Sequence, residues 1–410
     1  MHIVLVCREY VGSSRSGGIG SYMEEIAKAY VAKGHNVTVV TASDDTRQYK
    51  EWFSKDNIHI ISLSGGDFLV EKEEGRSKIK KLRCIYRFHS YRKKLRKVLL
   101  SLTDVDIIEV ADYGAEALYL LDIGIPVVIR LHTPQSLSRA DSSKIKPKWW
   151  QLHRSIPLRA EKTIFERARY ISGCSNAILQ WVQTHFDISQ AKTSVIFNPV
   201  DISNLHPCVS EYSSDEKIVF YAGTISETKG LNELIAACHK LIREGHKLKL
   251  RIAGKGGTFQ ENLEKRIVEN RWTWVEILGK LPRDLVYKNY ATADVCCFPS
   301  WWENMPMVCI ESMAIGAVVV STYAGGTPEI ITDSYDGFLC ERKNSRQLSE
   351  VLLKALSLNP EERAVISNNA RETIRAKFST DMISNRMLDF FETVCDDFKD
   401  NIEKSGRLTR

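Results

Sequence analysis

The sequence contains no apolar run long enough to cross a bilayer and no CxxC pair of cysteines. Its longest apolar runs, such as Ala317–Val320, are far shorter than the roughly 18–20 residues that a membrane-spanning helix needs. Ile3–Cys7 is also too brief for the core of a signal peptide. The scattered cysteines argue against structural zinc and against a disulfide framework. We therefore expect a soluble, cytoplasmic protein with reduced, buried thiols.

Acidic residues are absent from one segment, Arg76–Lys97, which contains eleven Lys and Arg residues. The whole chain carries a net charge of +6, from 57 basic and 51 acidic residues. Without this segment, 46 basic residues remain against the 51 acidic ones, a balance of −5. Because the rest of the chain is acidic and contains no recognised nucleic-acid-binding module, nucleic acid is not an expected partner.

The basic segment predicts an amphipathic helix, because its apolar residues recur at roughly helical spacing. These residues are Ile79, Leu82, Tyr86, Phe88, Tyr91, Leu95 and Val98. Such a helix can lie on an anionic lipid surface, each cation contributing about 1 kcal/mol. It can equally pack its apolar stripe against the protein's own sheet. The sequence leaves both interpretations open, and membrane contact would make the protein peripheral on the inner face of the cell membrane.

At 410 residues, the chain is long enough for two domains. A strand at His2–Cys7, a glycine-rich loop, a helical pattern over Ser21–Lys33 and a strand at Asn36–Thr41 form a βαβ unit, which is typical of a parallel sheet. The alternation restarts after the polar stretch Asn204–Lys217. We predict an α/β protein of two Rossmann-like domains facing each other across a cleft. They would span residues 1–203 and 204–380, followed by a helix at 381–398 that crosses back to the first domain and a flexible tail at 399–410.

Two glycine-containing loops are candidates for binding phosphate. Ser16–Gly20 lies at a strand-to-helix turn, where glycines let the backbone approach an anion and the helix start adds N–H groups. This loop lacks the GxGxxG spacing of dinucleotide folds and could be a plain tight turn. In the second half, Gly223 ends a strand, and Lys229 with Gly230 enters a helix, which suits an anion held by amides and an ammonium. The alternative is a surface lysine before a helix.

Glu303 and Glu311 form the most specific pattern in the sequence. They lie eight residues apart in Pro299–Ser312, the first in a loop after a strand and the second in the next helix, for which we expect small residues over Ser312–Gly316. A carboxylate accepts hydrogen bonds from vicinal hydroxyls, which sugar and ribose rings present. Main-chain N–H groups between the two acids can meet phosphate or sugar oxygens. The pattern indicates a sugar-nucleotide site.

On these residues the chain resembles the retaining glycosyltransferases of the GT-B fold in family 4, whose E-x7-E motif Glu303–Glu311 matches. The resemblance covers nearly the whole chain and includes Gly17-Gly-Ile-Gly20, Gly34-His35-Asn-Val37, Phe197-Asn-Pro-Val-Asp201, Gly223 with Lys229-Gly230, Gly254-Lys-Gly256, Leu278-Gly279 and Gly325-Gly-Thr-Pro-Glu329. It implies transfer of a sugar from a nucleotide diphosphate sugar, UDP- or GDP-linked, to a hydroxyl acceptor. The acceptor would be lipid-linked if the basic helix meets a membrane, as in surface polysaccharide synthesis.

The resemblance also assigns roles to single residues. Lys229 would pair with the diphosphate, Glu311 would hold the ribose hydroxyls, and Glu303 would contact the transferred sugar. His132 would lie against that sugar, and the loop Gly279–Leu281 would present main-chain groups to the base. The implied catalytic residues are His132, Glu303 and Lys229. The implied donor-binding residues are Gly17, Gly18, Gly223, Lys229, Gly279, Leu281, Asn304, Met305, Met307 and Glu311.

One position departs from the family pattern. The family usually has Arg after the glycine that corresponds to Gly223, and here that residue is Thr224. The diphosphate would then be bound by Lys229 alone, or by Lys229 together with Arg8, Arg130 or Lys255.

We expect no metal and no cofactor beyond the donor. Asp104-Val-Asp106 resembles a metal-binding DxD motif, but it opens a strand, whereas ligands gather at the carboxyl ends of strands.

Other interpretations remain open at this point. His132 could be a core histidine, and Trp301 with Trp302 could wall a sugar site or simply pack. A nucleotide-sugar epimerase or a phosphorylase could use the same two-domain architecture. Release of free nucleotide diphosphate only in the presence of an acceptor would argue against the epimerase. A noncatalytic sugar-nucleotide sensor would bind the donor without turnover.

Overall fold

The structure is a computed structural model that describes residues 1–10, 18–43, 49–64, 78–139, 152–202 and 215–404. The chain forms two compact units, one from Met1–Pro199 with Thr380–Arg410 and the other from Val200–Ser379. Gly17, the predicted boundary between residues 203 and 204, and residues 405–410 of the predicted tail lie outside the described residues.

The first unit is built on an eight-stranded sheet in the order β3-β4-β2-β1-β5-β6-β7-β8. The strands are β1 (His2–Val6), β2 (Asn36–Ala42), β3 (Lys50–Phe53), β4 (His59–Leu63), β5 (Ile107–Ala111), β6 (Val127–Leu131), β7 (Tyr170–Gly173) and β8 (Lys192–Val195). All neighbours pair in parallel except β3, which runs antiparallel to β4. The central strands are buried on both faces, which explains why they are mostly apolar, although β5 contains the buried Glu109 and β6 the buried Arg130.

Helices connect these strands. They are α1 (Gly18–Ala32), α2 (Lys78–Ser101), α3 (Gln135–Arg139), α4 (Leu152–Arg167) and α5 (Asn176–His185), with a 3-10 turn at Glu116–Tyr119. In α1 the residues Met23, Ile26, Ala27 and Tyr30 are buried, and this is the helical stripe that the sequence spacing predicts. The exposed edge strand β3 was not predicted, because its side chains are exposed and it lacks a period-two apolar pattern.

The second unit contains a six-stranded sheet in the order β11-β10-β9-β12-β13-β14, and all its pairs are parallel. Its strands are β9 (Lys217–Ala222), β10 (Leu248–Ala253), β11 (Val275–Gly279), β12 (Val295–Phe298), β13 (Val319–Thr322) and β14 (Phe338–Cys340). Its helices are α6 (Leu231–Arg243), α7 (Thr258–Glu269), α8 (Arg283–Thr292), α9 (Met307–Ile315), α10 (Thr327–Ile330), α11 (Ser345–Leu356) and α12 (Pro360–Phe378), with a 3-10 turn at Glu227–Lys229. The strand order reverses between β9 and β12, where ligands of open α/β sheets bind.

The small residues that we expected over Ser312–Gly316 form the end of helix α9. This helix starts at Met307, directly after Pro306, and Gly316 is its left-handed cap with φ of 91°. The first turn of α9 therefore follows Glu303 closely, and Glu311 lies inside the helix.

The last helix, α13 (Thr380–Lys404), belongs to the first unit, as the predicted crossing-back helix requires. It extends past residue 398 and includes residues 399–404, which we predicted to be part of a flexible tail. It buries Ile383, Met387, Phe391 and Val394 in the core that also contains α1. None of the helices in the described part of the chain is long and apolar enough to span a membrane. Eight cysteines fall within the described side chains, and all eight are free thiols.

Candidate functional site

The loops after β9 and β12 are held against each other at the point where the strand order reverses. The amide of Trp301 donates to the carbonyl of Thr228 over 2.9 Å. Gly230 lies so close to Pro299 that a Cβ atom there would be 1.9 Å from the Pro299 carbonyl oxygen, and its φ is 72°. Only glycine fits this position. The contact fixes the turn that carries Lys229 beside the loop that carries Glu303.

Lys229 and Glu303 form an ion pair at this place. Lys229 Nζ lies 2.5 Å from Glu303 Oε1, and the hydroxyl of Ser300 donates to the same oxygen over 2.8 Å. The side chains are 31% and 20% exposed, respectively, so a ligand can reach both. A partly exposed pair of this kind contributes about 0–1 kcal/mol to stability. Stability therefore gives little reason for the pair, and a ligand-binding role explains it better.

The backbone of Glu303 is fixed from a second side. The amide of Gly326 donates to the Glu303 carbonyl over 2.8 Å. A Cβ atom on Gly325 would lie 1.9 Å from the same carbonyl oxygen, and φ of Gly325 is 56°. The loop after β13 thus clamps the loop after β12, and the carboxylate of Glu303 is oriented before any ligand arrives.

Glu311 lies on α9 with a side chain only 18% exposed. Burial raises the pKa of its carboxyl, and the Arg283 guanidinium, whose Nη2 lies 3.2 Å from Glu311 Oε1, acts in the opposite direction. No described side chain caps the start of α9. Its first N–H groups and the positive end of its dipole suit an anion.

Three adjacent strands end at a glycine or directly before one, at one edge of the sheet. They are β9, β10 and β11, and their glycines are Gly223, Gly254 and Gly279, all with positive φ. The amide of Gly223 donates to Ala253, and that of Gly254 donates to Gly279. A Cβ atom on Gly254 would lie 1.8 Å from the Gly223 carbonyl oxygen. The edge therefore presents backbone without side chains, as close contact with a nucleotide requires.

In the first unit, His132 follows β6 and is buried, with 5% exposure. Its amide and that of Thr133 donate to Asp112 Oδ1 over 3.0 and 3.3 Å. Its ring meets the Tyr22 ring edge-on, with centroids 4.7 Å apart. Burial and the charge of Arg130 lower the pKa of His132 well below its ordinary value, so the imidazole is neutral at pH 7.

Two family models match the chain in succession. Residues 16–204 match the one described as Glycosyltransferase Family 4, and residues 208–373 match Glycosyl transferases group 1. The chain belongs to glycosyltransferase family 4.

The relatives agree with this assignment, and a solved structure shows the same fold. The transferase is 25% identical over 407 residues to an uncharacterized glycosyltransferase of Methanocaldococcus jannaschii, covering 96% of this chain and 98% of that protein. It is 27% identical over 202 residues to a putative colanic acid biosynthesis glycosyltransferase of Escherichia coli K12, covering 48% and 50%. The Anabaena protein HepE, solved in complex with UDP and glucose, superposes with a TM-score of 0.70 at 18% identity, covering 95% and 99%. The fold is GT-B.

The structure brings several of the transferase's predicted site residues together in the second unit. Lys229 and Glu303 are in contact, and Gly223 and Gly279 share the glycine edge. Asn304 and Met305 are buried, while Met307 and Leu281 are half-buried. Gly18, in the first unit, is exposed at the start of α1.

Sequence reasoning missed Ser300 and Arg283, which contact the two glutamates. Ser300 adjoins the motif and could have been suspected from its position. Arg283 is 28 residues from Glu311, and no spacing rule connects them.

The two tryptophans of the motif are partly exposed and hydrogen-bonded. Trp301 Nε1 donates to Glu233 over 3.2 Å, and Trp302 Nε1 donates to Asn304 over 2.7 Å. Lys343 Nζ lies 3.9 Å from the centroid of the Trp301 ring. Both indoles are therefore anchored through their polar edges.

The cations that could replace the missing arginine differ in their surroundings. Arg8 and Arg130 are buried in the first unit, and Arg130 Nη2 donates to the Phe197 carbonyl and to Asn198 Oδ1. Lys255 is exposed, and its carbonyl accepts the Ile225 amide over 3.0 Å, next to Thr224. Of the three, Lys255 adjoins the loop where the family arginine is missing.

The DxD-like pair lies at the start of β5. Asp106 Oδ2 accepts the His2 amide over 2.7 Å. Across the described ranges, no three His, Cys, Asp or Glu side chains are grouped as a metal site would require.

Proposed function

We propose that this transferase moves a sugar from a UDP- or GDP-linked donor to a hydroxyl acceptor, with retention of configuration and without a metal ion. The Lys229–Glu303 pair at the reversal of strand order carries the proposal. The ammonium of Lys229 can bind phosphate and the carboxylate of Glu303 can bind sugar hydroxyls. In a nucleotide sugar the sugar is bonded directly to the diphosphate, so the groups that bind them have to lie next to each other. The complex of HepE with UDP and glucose supports a donor of this class.

The proposed chemistry follows from charge. Breaking the bond between sugar and phosphate places negative charge on the diphosphate and oxocarbenium character on the sugar. Lys229 and the N–H groups at the start of α9 would stabilise the leaving diphosphate, and they are oriented before the reaction begins. Glu303 would hold sugar hydroxyls, with Ser300 fixing its carboxylate. A neutral His132 would exchange a hydrogen bond with the sugar instead of contributing a charge.

Retention would come from attack on the face from which the phosphate departs. The leaving phosphate oxygens would take the proton of the acceptor hydroxyl, so neither glutamate has to act as a nucleophile. Under this proposal Glu303→Gln keeps donor binding and lowers turnover, because the amide still offers one acceptor but carries no charge to complement the oxocarbenium ion.

Calorimetry with UDP, GDP, ADP and their common sugar conjugates, with and without EDTA, tests the proposal first. We expect one nucleotide family to bind and EDTA to have no effect. Lys229→Met should weaken that binding about tenfold or more, since hydrogen bonds to charged groups contribute about 1.5–3 kcal/mol. Lys265→Ala, which removes an exposed lysine of α7, is the matched control. Binding that requires a divalent metal, or no binding at all, would overturn the proposal.

For the acceptor, we propose a lipid-linked sugar. The name of the Escherichia coli relative, a putative colanic acid biosynthesis glycosyltransferase, supports a role in polysaccharide synthesis. The enzyme would meet the membrane through α2. Phe88, Tyr91, Leu95 and Leu99 of this helix are buried in the first unit, so the apolar stripe packs inward. Of the other residues in the predicted apolar stripe, Tyr86 is exposed and Val98 is half-buried. The side chains of Ile79 and Leu82 are not among those described, and Arg76 lies outside the described residues. The proposed contact is therefore electrostatic.

The cations of α2 whose side chains the structure describes differ in exposure, and Arg87 and Arg96 are half-buried. Arg92 is buried and donates to the carbonyls of Ala115 and Phe88 over 2.8 and 2.6 Å, so it holds the first unit together. Lys93, Lys94 and Lys97 are exposed. These three would face anionic lipid, at about 1 kcal/mol each.

Vesicle co-sedimentation tests the membrane contact. We expect binding to vesicles that contain phosphatidylserine, loss of binding at high salt, and no binding to phosphatidylcholine alone. Replacing Lys93, Lys94 and Lys97 by Gln should abolish the binding. The control replaces three exposed lysines of the second unit, Lys265, Lys280 and Lys288, by Gln. Equal binding to both lipids, or binding that persists in the α2 variant, would contradict the contact.

A further inference from the structure

Arg283 is held between two side chains at the start of α8. Its Nη2 donates to Glu311 Oε1 over 3.2 Å, and its Nε donates to the Tyr287 hydroxyl over 2.5 Å. Its Cζ lies 5.2 Å from the centroid of the Tyr287 ring. The Arg283 side chain is 60% exposed, whereas that of Glu311 is 18% exposed. A cation in an exposed position is thus fixed toward a nearly buried carboxylate.

The environment of Glu311 explains why such a cation is needed. Burial disfavours the charged form of a carboxyl group. A protonated glutamate offers fewer acceptor sites to vicinal hydroxyls than a carboxylate does. Burial, together with the charge of Glu311, raises the pKa of Tyr290 on α8 well above its ordinary value, so this tyrosine carries no charge at neutral pH. Among the described residues, Arg283 is the one cation within 4.0 Å of Glu311.

Arg283 also adjoins the loop that would read the base. It follows Leu281 and Pro282 directly, and Gly279 at the head of that loop accepts the Gly254 amide over 2.7 Å. The hydrogen bond from Arg283 engages Glu311 Oε1. Oε2 therefore remains available to hydroxyl groups.

We propose that Arg283 is a positioning residue for the ribose of the donor: it keeps Glu311 ionised and oriented, and so determines how strongly the enzyme prefers a ribonucleotide over its deoxy form. This inference rests on the proposed function, in which Glu311 accepts the ribose hydroxyls. Removal of Arg283 leaves a nearly buried carboxyl without its cation, which moves protonation of Glu311 toward neutral pH. As the pH falls, the variant would then lose its preference for the ribonucleotide at a higher pH than the wild type does.

The test compares UDP with 2′-deoxy-UDP by calorimetry across a pH series, using the full-length protein. GDP and its deoxy form replace them if the wild type selects guanine. The ratio of the two affinities cancels the titration of the diphosphate itself, because both nucleotides carry it. We expect the wild type to prefer UDP, since a site built for a hydroxyl rejects the analogue that lacks it. Arg283→Gln should reduce this preference about tenfold near neutral pH and restore part of it at alkaline pH.

Two further variants make the test specific. Arg283→Lys should recover part of the preference, because an ammonium still compensates the carboxylate. Arg346→Gln is the control, since Arg346 is 86% exposed and pairs with Glu350 on α11. Thermal unfolding of each variant identifies any loss of fold.

Each outcome decides between the two proposals. If Arg283→Gln keeps the wild-type preference at every pH, or weakens both nucleotides equally, the positioning role is wrong and the proposed function stands. A wild type that binds both nucleotides equally also overturns the positioning role. If the wild-type protein binds no nucleotide diphosphate, the proposed function itself is wrong.

Discussion

Two glycines of α1, Gly18 and Gly20, show at the residue scale how packing and ligand binding make different demands on the same residue type. A Cβ atom on Gly20 would lie 1.9 Å from the Glu9 carbonyl oxygen, so the fold requires glycine there. A Cβ atom on Gly18 would have no neighbour within 4 Å. Packing therefore does not explain glycine at position 18, whereas close approach of a phosphate would.

The matched pair Gly18→Ala and Gly20→Ala tests this difference. We expect Gly20→Ala to lower the melting temperature. Gly18→Ala should leave stability unchanged or raise it slightly, since alanine in a helix is favoured over glycine by about 0.5–1 kcal/mol. It should nevertheless weaken binding of the nucleotide diphosphate in calorimetry. Wild-type affinity in Gly18→Ala would show that the phosphate does not approach this turn.

The buried carboxyl of Asp112 leads to a prediction about how the stability of the protein depends on pH. This carboxyl accepts the His132 and Thr133 amides, and burial, together with the charge of Glu161, raises its pKa from 3.8 to about 7. Between about pH 4 and 7 the folded state keeps a proton that the unfolded state has lost, so this group makes the free energy of unfolding fall as pH rises. Each unit of pKa difference corresponds to about 1.4 kcal/mol.

Asp112→Asn removes this titration and keeps an oxygen for the two amides. Denaturant unfolding of wild type and variant at a series of pH values measures the difference. We expect the free energy of unfolding of the variant, relative to that of the wild type, to increase steadily as the pH rises from about 4 to 7. Below the ordinary pKa of histidine, His132 makes the free energy of unfolding rise with pH. This effect is the same in both proteins and cancels in the comparison. Parallel curves would contradict the assignment.

At the element scale, the loop after β12 owes its shape to the loop after β13. Glu303 lies in an irregular segment, and its carbonyl is the atom that Gly325 and Gly326 contact. Side-chain chemistry at one strand end thus depends on backbone geometry at the next. This arrangement explains why a glycine pair far from the acidic motif belongs to the same pattern in the sequence.

Gly325→Ala should therefore impair the site by displacing Glu303. The new Cβ would meet the Glu303 carbonyl at 1.9 Å, so the loop has to move. We expect at least a tenfold loss in kcat/KM, about 1.4 kcal/mol, measured by release of nucleotide diphosphate. Gly245→Ala is the control, because Gly245 also has positive φ, at 97°, but a Cβ there meets nothing within 4 Å. Equal losses in both variants would mean that backbone strain alone is responsible.

At the scale of the whole molecule, the first unit combines the first half of the chain with the last described helix. Helix α13 returns to it after the entire second unit, and Phe391 of that helix packs with its ring centroid 5.9 Å from that of Tyr30. The fold of the first half therefore depends on residues more than three hundred and fifty positions away.

Phe391→Ala should destabilise the first unit by about 3–5 kcal/mol, the usual cost for a fully buried phenylalanine. Hydrogen exchange locates the effect: protection should fall in α1 and β1 and stay unchanged in β9 and β12. Met382→Ala, at an exposed position of the same helix, is the control. Unchanged protection in α1 would show that the contact between α13 and α1 contributes little to this unit.

The sequence by itself determined the two α/β units and the family. Continuous apolar runs, such as those of β1 and β12, alternate with helical spacing, and local patterns of this kind depend only on near neighbours. The acidic motif and its glycines were equally readable, because their chemistry is local. The edge strand β3 was not, since an exposed strand carries no apolar pattern.

Only the tertiary structure decided which of these residues meet. Lys229 and Glu303 are 74 positions apart, and Arg283 and Glu311 are 28 apart. These pairs form because parallel strands bring their carboxyl ends to one edge of the sheet, and the order of the strands sets which loops become neighbours. Burial acts in the same way on Asp112, His132 and the stripe of α2. A side chain's surroundings, and with them its charge state, come from distant parts of the chain.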